Sequence, residues 1–178
     1  MLIVSDNLKG IAKSLNICNA SLVEEFSIKI NLDRSIIRMR DHPLTLDPVQ
    51  YGLNYEPEYY FKSKETLSGP MILLPQQNVL ACSQDTYSMP SGYFGLVQTK
   101  GSLARLFVTA TANDGQVEPG YRGRITLEMT NLAKFPVSIA PGDTVAQMFV
   151  FRCSSDAANP YRGRYQNADG PTLAVFTT

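Results

Sequence analysis

Three short segments of this 178-residue chain carry residues able to do chemistry. In the first, Arg124–Asn131, the apolar Ile125, Leu127 and Met129 alternate with Thr126, Glu128 and Thr130. A two-residue period sends the apolar set one way and Glu128 the other, between two threonines. A carboxylate so placed is either a solvated surface group or, inside a cleft, a general base that takes a proton from water. Alternation alone does not choose. The second segment is Lys100-Gly101-Ser102-Leu103-Ala104-Arg105. Its Gly-Ser turn, hydroxyl and flanking cations suit phosphate oxygens, or else form an ordinary loop entering a helical turn. The third, Val117-Glu118-Pro119-Gly120-Tyr121, is a tight turn whose aromatic ring can lie against a sugar or simply pack.

Several other chemistries find no residues here. The single histidine, His42, precedes Pro43, and Cys18, Cys82 and Cys153 form no CxxC pair. Zinc-dependent base deaminases need HxE and PCxxC ligands, so no zinc and no other protein-held metal is expected. Neither a Ser-His-Asp arrangement nor a Walker or GxGxxG loop is present. The 16 basic and 16 acidic residues cancel, which argues against a polymeric nucleic acid but leaves a single nucleotide open. Three widely spaced cysteines suit a reducing compartment, and no apolar run nears the ~20 residues of a membrane span. With no charged-then-apolar leader, a cytoplasmic location away from the membrane is expected.

The elements that must position these segments are mostly short strands. One helix is expected over Asp6–Leu15, capped by Ser5 or Asp6, with Leu8, Ile11, Ala12 and Leu15 on one face. Phe26, Ile28, Ile30 and Leu32 alternate as in a half-buried strand. Residues 40–69 show no clear period and are expected as loops with short strands. Beyond them, strands are expected at Met71–Leu74, Val79–Cys82, Tyr93–Thr99, Ile125–Thr130, Val137–Ile139 and Val145–Phe151, separated by Gly and Pro turns. This pattern implies a single all-β domain, sandwich- or barrel-like, with a short N-terminal helix. Residues 155–178 form a Ser-, Asn- and Gly-bearing tail, ordered only if something holds it.

Taken together, the motifs resemble the dCTP deaminase family of the dUTPase-like superfamily. LLPQQNVLACSQDTYSMPSGYFGLVQTKGSLARL is similar to its Pro-led turn, Val-Leu-Ala strand and S-S-L-A-R-L segment. VEPGYRGRITLEMTN resembles I-D-P-G-W-x-G-x-I-T-L-E-L-x-N, APGDTVAQMFVF resembles P-G-x-x-I-G-Q-L-x-F, and GRYQNADGPT resembles K-Y-Q-x-Q-x-G-P-T. The match runs from about Leu73 to Thr172; FSIKINL resembles A-S-I-D-L-R-L, with Lys29 at the Asp.

The resemblance implies a distorted double-sheet β-barrel or sandwich, assembled as a homotrimer with sites between subunits. It implies metal-independent hydrolysis of dCTP to dUTP and ammonia, with Glu128 as proton carrier and Arg105 stabilising charge. Nucleotide contacts are implied for Lys100, Gly101, Ser102, Glu118, Tyr121 (beneath the deoxyribose), Gln147, Tyr161, Arg164, Tyr165 and Gln166. The tail becomes a lid, Mg2+ comes only on the triphosphate, and dUTP and dTTP are further candidate ligands. Some positions depart from the pattern. Gly101 replaces a serine, Glu118 replaces Asp before Pro-Gly, and Ala168 replaces a glutamine. Where the family reads L-G-x-x-x-H-V-T-A-G-x-I-D, this chain reads LFVTATANDGQVE, with Thr111 at the His and Gln116 at a variable position. Glu118 and the Tyr-Arg-Gly at Tyr121–Gly123 keep a dUTPase activity, alone or joined to deamination, as the alternative. A silent nucleotide-binding paralogue is the third reading.

Overall fold

The computed structural model describes residues 1–41, 57–112 and 114–175. Helix α1, Ser5–Ser14, buries Leu8 and Ala12 and leaves Leu15 exposed. Its start departs from the expected cap. Val4 is the capping residue and no side chain caps the first turn; Ser5 lies inside the helix at φ +56° and bonds the Glu25 carboxylate. The chain at Glu25 takes the place of a cap, since its carbonyl accepts the Ser5 N–H at 2.6 Å.

Strand β1, Ile28–Asn31, is shorter than its alternation suggests, because Phe26 turns outward in a bend. β2 is Ser35–Arg38. Of the stretch 40–69, the described part holds a helical turn, α2 (Pro57–Tyr60), and strand β3 (Glu65–Thr66); the remainder, with His42, lies outside the described residues. β4 Met71–Leu73, β5 Asn78–Cys82 and β7 Tyr93–Thr99 fall where alternation and turns place them, and a short strand β6, Tyr87–Ser88, is added between the last two. A short helix α3, Gly101–Ala104, leads to β8 Val108–Thr109, β9 Gln116–Val117 and β10 Arg122–Gly123. β11 Thr126–Asn131, β12 Val137–Ile139 and β13 Thr144–Arg152 complete the set.

Two larger antiparallel sheets carry the architecture. One has strand order β1-β13-β7-β9 and the other β3-β2-β5-β11-β8, with small pairs β10-β6 and β12-β4 beside them. Their inward residues, among them Ile28, Ile30, Val97 and Met148 from one sheet and Ile36, Ala81, Leu127 and Met129 from the other, form one core. Each such side chain contributes about 1.5–3 kcal/mol by leaving water. Asn131 at the end of β11 is fully buried, and its amide ties three main-chain groups: Leu73 O and Phe135 O at 2.9 Å each, and Ala133 N at 2.9 Å. The fold is the all-β arrangement expected, built to hold the central strand β11 between β5 and β8.

Candidate active site

Strand β11 presents Glu128 because its burial alternates strictly. Leu127, Met129 and Asn131 are buried, whereas Thr126, Glu128 and Thr130 are only half-buried. Thr126 and Glu128 floor a cleft of about 370 Å3 walled by the turn 114–121, by Phe61 and Leu80, and by tail residues Tyr161, Tyr165 and Thr172. Glu128 Oε2 is buried there with no hydrogen-bond partner. Burial first, then the negative charge of Asp114, lifts this carboxyl above the ordinary carboxylate range, against a smaller opposing pull from the backbone N–H groups of Glu128 and Asp114. A buried carboxylate oxygen without a partner is costly, so its persistence in a cleft points to a chemical use.

Tyr121 forms one wall. Only 8% of it is exposed, and its hydroxyl donates to Arg124 O at 2.6 Å, which fixes the ring. Burial, reinforced by neighbouring Tyr161 and Glu118, holds that hydroxyl protonated. The Tyr161 ring stands 5.9 Å from it at 54°. The turn beneath needs Gly120, at φ +93°, since a Cβ there would meet Pro160 Cβ at 2.5 Å.

The C-terminal segment is held by main-chain and side-chain groups together. Tyr161 N donates to Pro119 O at 2.7 Å, Asn167 N to Arg122 O at 2.6 Å, and Arg124 N to Ala168 O at 2.8 Å. The Gln166 amide both accepts from Arg122 N and donates to Gly120 O, each at 3.0 Å. Thr172 shares a hydroxyl contact of 2.9 Å with Thr126, on the face of β11 that bears Glu128. Arg164 Nη1 bonds Val175 O, next to cleft residues Leu173 and Ala174.

Among the expected site residues, the structure therefore brings together Glu128, Glu118, Tyr121, Tyr161 and Tyr165, with Gln166 and Arg164 bracing the tail beside them. Lys100, Gly101, Ser102, Arg105 and Gln147 lie outside this cleft. Lys100 pairs with Glu24 at 3.5 Å, and Gln147 lines a surface hollow with Leu2, Phe26 and Phe149. Arg105 folds back on α3, its Nη1 donating to Gly101 O at 3.0 Å. The missing side chain at Gly101 leaves room for this, because a Cβ would sit 3.0 Å from Nη1. Among the described residues, carboxylates from Asp114, Glu118 and Glu128 line the cleft and no Lys or Arg does. Asp114 and Thr172 were not singled out from the sequence. Thr172 and Asp114 both lie within stretches compared with the family pattern, but Asp114 gives no periodic signal. No group of three or more His, Cys, Asp or Glu among the described residues could hold a metal ion.

Comparison with known proteins gives the family. Residues 8–153 match the dCTP deaminase-like family model. A protein of Streptomyces coelicolor named dCTP deaminase, dUMP-forming, is 33% identical over 164 residues, covering 86% of this chain and 82% of the relative. Its namesake in Thermobifida fusca is 34% identical over 161 residues, covering 85% and 78%. The crystal structure of 2'-deoxycytidine 5'-triphosphate deaminase from Agrobacterium tumefaciens superposes with a TM-score of 0.77 at 13% identity, over 88% of this chain; this chain spans about half (49%) of that one. That likeness gives the distorted double-sheet fold, and the sequence relatives give the lineage: this chain belongs to the dCTP deaminase-like family.

Proposed function

We propose that this protein hydrolyses the exocyclic amine of dCTP and carries the nucleotide on to dUMP, water being consumed and ammonia and then pyrophosphate released. The observation that carries the first step is the unpartnered Glu128 Oε2 in the Tyr121 cleft. In this reading Glu128 takes a proton from a water set against C4 of cytosine and passes it to N3; it then takes the proton of the new C4 hydroxyl and gives it to the amine, which leaves as ammonia while the C4 carbonyl forms. Such positioned proton transfer contributes about 10²–10⁴-fold. A raised proton affinity suits a group that must both accept and donate.

The sequence alone favours dUTP as the end product. Relatives that carry dUMP-forming in their names move the balance toward the second hydrolysis. Glu118 supports it, as it lines the same cleft and its carboxylate can activate a water against the α-phosphate. The triphosphate arrives with Mg2+, which neutralises charge on the phosphates. A cleft lined by carboxylates repels phosphate, and so Arg105, Lys100, Ser102 and Gln147 act from a neighbouring copy in a homotrimer. There Arg105 stabilises the charge that develops on the tetrahedral intermediate.

Incubation of the purified protein with Mg2+ and dCTP tests the proposal. Ammonia, dUMP and pyrophosphate are expected in equal amounts. Accumulation of dUTP would limit the activity to deamination, and nucleotide binding without any product would overturn the proposal in favour of a silent paralogue.

A further inference from the structure

Beside Glu128 stands a carboxylate that the family pattern does not contain. Where that pattern reads H-V-T-A-G, this chain reads Thr111-Ala112-Asn113-Asp114-Gly115, so Asp114 occupies an alanine position. The loop that carries it is tied on three sides. Ala112 N donates to Glu128 O at 3.2 Å, which fixes the loop to β11 at the residue in question. Gly115 O accepts from Val97 N at 2.6 Å, which fixes it to β7. Asp114 Oδ1 accepts from Gln116 N at 3.1 Å, turning the chain into β9. The consequence is that the Asp114 and Glu128 side chains line one cleft.

We propose that Asp114 is a positioning residue of the proton-transfer site, its carboxylate held by the turn at Gln116 in the same cleft as Glu128. This rests on the reading of Glu128 as the proton carrier. The other titratable groups lining the cleft are Glu118, Tyr121, Tyr161 and Tyr165. Among these groups, the Asp114 charge adds to burial in raising the proton affinity of Glu128. A neighbouring negative charge disfavours the ionised form of a carboxyl. Asp114 thereby keeps Glu128 a strong enough base toward the water.

The test compares pH profiles of kcat/KM for the native protein, Asp114→Asn and Asp114→Ala, with Glu128→Gln as control. Asparagine keeps the acceptor for Gln116 N–H, and therefore the turn, while removing the charge. The acid limb of Asp114→Asn is expected to move down by about half a pH unit, the size of one charge acting across several ångströms of wet cleft. Asp114→Ala should shift the same limb and also lower kcat, with KM little changed, because its turn is lost. An acid limb that stays in place in both variants, while Glu128→Gln is inactive, overturns the role of Asp114 alone. Full turnover by Glu128→Gln overturns the base assignment itself, and this proposal with it.

Discussion

Glu128 works against the stability of the molecule that carries it. Its proton affinity is raised in the folded state, so the native chain binds more protons than the unfolded chain between the two pKa values. Stability therefore falls as pH rises through that window, and the full penalty is present above the folded value. Glu128→Gln keeps the shape and removes the charge. Urea unfolding of this variant should show a gain of about 1 kcal/mol at pH 7, vanishing below the ordinary carboxylate range. The same variant should have lost turnover. A native-like denaturation midpoint at neutral pH would mean that Glu128 is well solvated after all. Asp33 runs the other way. Burial raises its pKa, but hydrogen bonds from Ser35 and the Arg124 guanidinium at 3.0 Å outweigh that, leaving it lowered overall. Its contribution is present above the ordinary carboxylate value and is lost as pH falls through the lowered one. Glu128 was legible in the sequence because a period of two is enough to separate it from Leu127 and Met129. Asp114 was not, since its role depends on where a loop returns in space.

At the scale of elements, the tail is the clearest gap between sequence and structure. Its Gly, Asn and Ala content reads as loose chain, and nothing in its period shows that Asn167 and Ala168 pair with Arg122 and Arg124. Strands β7 and β12 were readable to the residue because Gly and Pro bound them. The start of α1 was not, because Glu25, distant in sequence, supplies what a local cap would. The side chain that pins the tail most directly is Gln166, which serves both Arg122 N and Gly120 O. Gln166→Ala removes two hydrogen bonds of about 1 kcal/mol each and leaves the fold intact, so KM for dCTP should rise roughly tenfold with a smaller change in kcat. Limited proteolysis should cut residues 155–175 faster in the variant; equal cleavage rates would show that the main-chain pairs suffice.

For the molecule as a whole, the division of expected site residues into two groups is the main finding. One group surrounds Glu128 in a cleft that no Lys or Arg among the described residues lines; the other holds Lys100 and Arg105 and lies elsewhere on the protomer. If neighbours complete one another, two defects need not coincide. Glu128→Gln and Arg105→Ala should each be inactive, yet dissociated together and reassembled in equal amounts they should regain activity at about a quarter of the sites, as random mixing in a closed ring requires. A mixture as dead as its parts would place both residues in one chain's site. The resemblance implies sites shared between subunits, but not which residues stand on which side, because motif order records the chain and not the distance across it. One further consequence lies in the wall of the cleft. The Tyr121 hydroxyl already donates its proton to Arg124 O, so on the proposed reading it could only accept from a sugar seated on the ring. A pentose lying there would then be sorted chiefly by the room the ring leaves.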